Sequence, residues 1–280
     1  IPVSIEDSSR SMAIAESWFG RARGVENFLL VDIDIGIGLG IYSEGRIYRG
    51  TSNSSGEMGH TVIKRDGPLC YCGNRGCLEA LASGRALLEK ISGIRQSGRY
   101  SSEDLNRLKE AAVAGDKEVV NLLKQAGKHI GMAVANAVNL FNPRMLIFAG
   151  PLAWEDSPLV ESARRDLSAH ALSSSLRQLT VQVSSLHGGA ALGAAALALR
   201  EVYEVEGVLT ICGVRRLQYI IQRRIIEAKR LLENDPALKI ASIPRIVGFN
   251  GILIFNHNFR QIMGITPSAY RKIVCMQGKQ

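Results

Sequence analysis

The sequence predicts an α/β lobe followed by a small all-α segment, and three observations carry that reading. Short runs of Val, Ile and Leu alternate with 3.6-residue apolar patterns as far as Tyr203, the pattern of strands packed under helices. Beyond about residue 208 the strand signal stops. The charge changes at the same place: residues 1–207 hold 22 Lys and Arg against 23 Asp and Glu, whereas residues 208–280 hold 12 against 3, a net of +9. At 280 residues the chain exceeds one typical core of roughly 100–150 residues. The break is placed between residues 207 and 208, with Val205 to Thr210 as the boundary region.

Each element has its own signal. Phe28 to Ile41 is an apolar run that closes on Gly36, Gly38 and Gly40, and Gly45 separates Ile41-Tyr42 from Ile47-Tyr48 as in a hairpin. Leu78 to Ile91 has helical spacing, and Ser101 with Asp104 reads as a helix N-cap with an acid three residues on. Val119 to Leu140 carries a long helical pattern that ends before Pro143. Met145 to Ala149 and Thr180 to Ser184 are short strands, Val160 to His170 and Ala190 to Tyr203 helices. In the tail, Ile220 to Leu232 is amphipathic, with Ile221, Ile225, Ala228 and Leu232 on one face and Arg223, Arg224 and Arg230 off it.

Composition narrows the function. No run approaches the ~18–20 apolar residues of a membrane helix and no basic-then-apolar leader opens the chain, so a cytoplasmic protein with no membrane partner is expected. A segment as basic as the tail attracts a polyanion, of which nucleic acid is the commonest.

Three of the five cysteines, Cys70, Cys72 and Cys77, fall within eight positions. An odd total clustered this tightly argues for a metal site and against a secreted disulfide framework. With His60 upstream, three thiolates and one imidazole satisfy a tetrahedral zinc ion and leave no position for catalytic water, so the zinc is expected to be structural. Gly67, Pro68, Gly73 and Gly76 interleave the ligands, as a tight wrap requires.

The run Gly56-Glu57-Met58-Gly59-His60, then Gly67-Pro68-Leu69-Cys70-Tyr71-Cys72-Gly73-Asn74-Arg75-Gly76-Cys77-Leu78-Glu79, closely resembles the signature of the ROK family of repressors and sugar kinases. The likeness extends from about Val3 to the Ala-rich helix ending near Arg200. It implies a two-lobed actin-like ATPase fold of the ribonuclease H-like class, incomplete here at its N-terminus because the family's early Asp-x-Gly-x-Thr phosphate motif is missing. It also implies that Glu57, His60 and Glu79 contact a sugar or sugar-phosphate effector. The chemistry fits: a carboxylate accepts two hydroxyl hydrogen bonds, and an imidazole bound to metal through one nitrogen offers the other.

Kinases of the family carry an Asn-Asp pair eight residues before an Ala-Glu pair, the Asp serving as base toward the sugar hydroxyl. Counting back from Glu16, the base position is Ser8 and Asp7 takes the Asn position. A serine hydroxyl is too weak a base at neutral pH, so no catalytic residue is assigned and Asp7 stands only as a degenerate candidate. Asp34 and Ile35 occupy the Gly and Thr positions of a phosphate loop, where a carboxylate repels phosphates and an isoleucine offers no hydroxyl.

Residues 223–232, 247–250 and 259–272 are similar to the AraC-type DNA-binding domain, covering its joining helix and its second helix-turn-helix unit, with the end of the first near Gly213. That resemblance implies an inter-helix turn at Gly248 to Asn250 and a recognition helix anchored by Phe255, Phe259 and Ile262. Gly264 would end that helix, and Thr266 with Pro267 would start the next. Candidate contacts to double-stranded DNA are Asn256, His257 and Arg260, with Arg271 and Lys272 on phosphates. Pro244 is expected inside the unit's first helix, at a cost of about 3 kcal/mol. Ile252, Leu253 and Ile254 stand where polar base-reading side chains are usual.

The leading reading is a homo-oligomeric, sugar-responsive transcriptional regulator. An ATP-dependent sugar kinase and a truncated chimera with a structural zinc and no regulated activity are the alternatives.

Overall fold

The computed structural model describes residues 5–92, 100–203, 216–235, 238–249 and 251–277. The chain forms two compact units, Ile1–Thr210 and Ile211–Gln280. Residues 205–210, Val3, Gly213 and Asn250 lie outside the described residues.

The first unit opens with α1 (Ser8–Phe19), then β1 (Phe28–Ile33), β2 (Ile37–Ser43) and β3 (Arg46–Ile47). After the cysteine loop come α2 (Leu78–Ala82), α3 (Gly84–Ser92), α4 (Ser102–Val113) and α5 (Lys117–Phe141). The unit closes with β4 (Met145–Ala149), α6 (Pro158–His170), α7 (Ser173–Leu176), β5 (Thr180–Val183) and α8 (Gly189–Tyr203). The strands form one sheet in the order β3-β2-β1-β4-β5, with β1 antiparallel to β2 and parallel to β4.

Period-two alternation divides this sheet between two cores. Leu29, Val31 and Ile33 of β1 and Ile37, Leu39 and Ile41 of β2 pack with Leu123, Ile130 and Val134 of α5 and Leu159 and Ala163 of α6. Phe28 and Leu30 face the other way, onto Ala13 and Ile14 of α1 and Ala196 and Leu197 of α8. On that second face β2 offers glycines, and a methyl at Gly40 would lie 2.7 Å from the Ser9 carbonyl oxygen. The glycines thus let α1 sit directly on the strand.

Two segments divide where the sequence pattern reads as continuous. The Phe28 to Ile41 run is two antiparallel strands joined at Asp34–Gly36, where Asp34 N–H donates to the Gly36 carbonyl and Asp34 Oδ1 accepts from Ile35 N–H. The Leu78 to Ile91 pattern breaks at Ser83, whose hydroxyl accepts from Ala86 N–H and so starts α3 afresh. The hairpin is a two-residue turn with positive φ at Glu44 and Gly45 (52° and 74°), the twist that suits antiparallel strands. Ser101 and Asp104 form the reciprocal capping box that their spacing announces.

The second unit consists of α9 (Arg216–Asn234), α10 (Ile243–Ile246), α11 (Ile252–Met263) and α12 (Pro267–Gln277). Ile225, Ala228 and Leu232 of α9 close on Ile243, Val247, Phe249, Phe255 and Phe259. Gly264 takes a left-handed conformation (φ 77°) and ends α11, and Thr266 Oγ1 accepts from Ala269 N–H at the start of α12. Two expectations are corrected. Pro244 lies in the first turn of α10, where its missing N–H has no helical partner to lose, so the interior-proline cost does not arise. Ile262 is 38% exposed and does not join the anchor that Phe255 and Phe259 make.

Candidate functional site

The cysteine loop is shaped by its backbone turns. Gly67 N–H donates to the Lys64 carbonyl, Cys70 N–H to that of Asn74, Gly73 N–H to that of Cys70 and Gly76 N–H to that of Pro68. Gly73 and Gly76 have φ of 93° and 73°, and a methyl at Gly76 would fall 1.6 Å from the Lys64 carbonyl oxygen. The 3₁₀ turn Met58–His60 brings the histidine in from the other side.

His60, Cys70, Cys72 and Cys77 present ligand atoms that all lie within 4.8 Å of one another. Cys70 Sγ is 3.7 Å from His60 Nδ1, and Cys72 Sγ is 3.7 Å from Cys77 Sγ. A metal–sulfur bond of about 2.3 Å sets a tetrahedral edge of roughly 3.7 Å, so these separations suit a central cation and not a disulfide, whose sulfurs sit ~2.05 Å apart. Burial and the neighbouring sulfurs push the Cys77 thiol up to about 12, and burial pushes Cys70 upward, whereas the Asn74 N–H lowers Cys72. Holding all three as thiolates therefore requires a positive charge among them. The donor set can hold a metal ion.

Nδ1 of His60 faces the sulfurs, while Nε2 meets Tyr71 Oη at 3.1 Å. Partial burial of that phenol, followed by the charge and hydrogen bonding of Glu79, pushes Tyr71 up to about 12. Arg85 stacks on its ring at 5.4 Å. Glu79 is buried, and its Oε2 accepts from Ile37 N–H of β2 at 3.1 Å. Tyr71 thus meets His60 directly and feels the charge of Glu79, a role that its place between Cys70 and Cys72 does not announce. Glu57 begins the same turn with its side chain exposed.

The structure places Asp7 and Ser8 at the start of α1. Asp7 is the N-cap of α1, and its carboxylate accepts from Arg10 N–H at 3.1 Å. Ser8 is exposed, with Oγ 3.5 Å from Asp32 Oδ2.

In the second unit, His257 and Arg260 are exposed on α11 and Asn256 is half-buried. Lys272 is exposed on α12. Arg271 turns inward: its guanidinium donates to the Leu238 carbonyl and, at 3.3 Å, to that of Asp235. Tyr270 donates to Glu233 at 2.6 Å, and Arg230 pairs with Glu227 at 2.7 Å. Arg271 is thus taken up inside the unit, while the Arg230–Glu227 pair lies on its surface. Among the described residues no helix is long and apolar enough to cross a membrane.

Residues 1–201 match the ROK family and residues 194–273 match a helix-turn-helix domain. The N-acetylglucosamine repressor of Escherichia coli O6:H1 (strain CFT073) is 34% identical over 205 residues, 71% of this chain and 50% of that protein. A ROK family transcriptional regulator described as a homolog of the E. coli MLC protein superposes with a TM-score of 0.60 at 32% identity, over 70% of this chain and 52% of that one. A ROK hexokinase from Thermus thermophilus gives 0.58 at 34% identity, over 72% and 68%. The chain spans about half the length of the curated relatives it matches.

Proposed function

Because this chain belongs to the ROK family through residues 1–201, we propose that it is a sugar-responsive transcriptional regulator whose first unit senses a monosaccharide and whose second unit binds DNA. The observation that carries this reading is the presence, in one chain, of the ROK lobe and a helix-turn-helix match over residues 194–273. Ser8 and Asp7 support a regulator over a kinase, since one is not a carboxylate and the other is committed as a helix cap.

The metal is zinc, held by His60, Cys70, Cys72 and Cys77 as a structural ion. Bound there, it fixes the His60 ring so that Nε2 stays on the side of Tyr71 and Glu79. Glu57, His60 and Glu79 recognise sugar hydroxyls, with N-acetylglucosamine as the first ligand to test. On DNA, Asn256, His257 and Arg260 approach base edges and Lys272 a phosphate. Arg271, expected to be a phosphate contact, acts by tying α12 to the carbonyls of Asp235 and Leu238. The protein works in the cytoplasm as a homo-oligomer.

The test is a calorimetric sugar titration beside an ATP-dependent phosphorylation assay with N-acetylglucosamine, glucose and xylose. Binding without turnover above background is expected. Robust phosphorylation of any of the three would overturn the regulator in favour of the kinase.

A further inference from the structure

The α11 helix opens on three aliphatic side chains, and all three face outward: Ile252 is 45% exposed, Leu253 81% and Ile254 56%. The core of the unit takes its α11 contacts from Phe255 and Phe259, which are fully buried, and none of the three aliphatics joins it. The first turn is also uncovered. Gly251 caps it without a side-chain hydrogen bond, and a methyl added at Gly251 would meet no atom within 4 Å. Aliphatic side chains that stand together in water mark a contact surface.

Helical geometry says what that surface stands beside. Residues four and seven positions on from Leu253 share its stripe, and those are the exposed His257 and Arg260. Leu253 thus extends the stripe assigned to base edges toward the N-terminus of α11, the end that a recognition helix puts into the major groove. Residues 208–280 hold 12 Lys and Arg against 3 Asp and Glu, so the surroundings favour a polyanion. A protein partner fits less well, because a stable interface covers roughly 800 Å² on each side, well beyond three side chains, and would have to take Arg260 in with them. In the major groove every base pair presents polar donors and acceptors, and thymine alone adds an apolar group, its 5-methyl.

We propose that the first turn of α11 reads thymine 5-methyl groups in the major groove, with Leu253 as the principal contact and Ile252 and Ile254 flanking it. Aliphatics and methyls leave water together, so the turn discriminates thymine from bases without that methyl and ignores the pattern of donors and acceptors. No bond is made or broken. The proposal rests on the reading of the second unit as a DNA binder.

For the test, the full chain selects duplexes from a randomised pool, and the selected duplex is titrated at one salt concentration in two forms: with thymine, and with every thymine replaced by uracil, which removes only the methyls. Wild type is compared with Leu253→Ser and with the triple variant Ile252→Ser/Leu253→Ser/Ile254→Ser, with melting curves and light scattering as checks. Selection is expected to enrich thymine, and wild type should bind the uracil form more weakly by about fourfold for each contacted methyl, the scale of burying one such group. Leu253→Ser should reduce that ratio while melting like wild type, since its side chain lies outside the core, and the triple variant should abolish it. Wild type that binds both forms equally would overturn methyl reading and leave DNA binding standing. A uracil penalty that survives in the triple variant would place its origin in the duplex and overturn the proposal as well. A lower oligomeric mass of the variants with an unchanged uracil response would assign the patch to a second copy of this chain, against the proposal. No binding of wild type to any duplex of the pool would remove the DNA-binding reading itself, and methyl reading with it.

Discussion

The two units place their polar chemistry in opposite directions. In the first, sulfurs, an imidazole, a phenol and carboxyls converge inward, held by backbone turns that tolerate only glycine at positions such as Gly76. In the second, the interior is Phe255, Phe259 and aliphatics, and polar groups either close the unit on itself or face outward on α11 and α12. An inward site depends on distances between few atoms, so single substitutions should abolish it. An outward site depends on summed charge, so single substitutions should only weaken it.

The largest expected effect is on the metal. Cys72→Ala, or chelation of the wild type, should take zinc from about one ion per chain to none and disorder the 60–78 loop, as structural zinc sites contribute ~10–16 kcal/mol in small zinc peptides. Elemental analysis and hydrogen exchange measure both, and the helical signal of the second unit should persist. Zinc uptake near pH 7 should also release protons, because Cys77 and Cys70 sit above their ordinary range without a cation. Calorimetry in buffers of different ionisation enthalpy reads that release.

Next comes Phe255→Ala, which removes a fully buried ring from the second core and should cost about 3–5 kcal/mol there. Zinc content should stay unchanged. A concerted loss of both would show that the units are not energetically separate.

The two arginines of the tail sharpen the contrast at smaller scale. Arg260→Ala should cost about 1–3 kcal/mol of DNA binding, relax sequence preference and leave melting unchanged. Arg271→Ala should lower the melting temperature of the second unit instead, by about 4–8 °C for each kcal/mol lost. Exchange of those outcomes would reverse the assignment of the inward and outward arginine.

A further contrast concerns Asp32, buried on β1, and stability. Its folded value is raised to about 7 against an ordinary carboxyl near 4, so the folded chain binds the proton more tightly and stability falls as pH rises through that window. Asp32→Asn should therefore melt higher than wild type at pH 8 and equal to it at pH 4. A constant difference across pH would mean that charge is not the cause.

How much of this was legible in the sequence follows the same division. The convergence of His60, Cys70, Cys72 and Cys77 was readable because a donor set for a metal fixes residue type and spacing together, and strands such as Met145–Ala149 were readable because burial on both faces leaves an unbroken apolar run. Tyr71 was not, since nothing in a Cys-Tyr-Cys sequence says that the phenol turns toward His60 and Glu79. The break at Ser83 was hidden because its apolar spacing continues across it. Arg271 shows the limit most clearly: charge counting treats every cation as a surface cation, and only packing reveals which carbonyls a guanidinium has already satisfied. Pro244 was misplaced because a four-residue helix is too short for periodicity to locate its start.

The central claim is that sensing in the inward unit alters DNA binding by the outward one. Its most direct test is titration of the full chain with duplex DNA at two salt concentrations, with and without saturating N-acetylglucosamine, glucose or xylose. The expected result is salt-sensitive binding whose affinity one of the sugars changes by about 5-fold or more, the scale of an ordinary allosteric coupling. Binding that ignores both salt and every sugar, or no binding at all, would contradict the account.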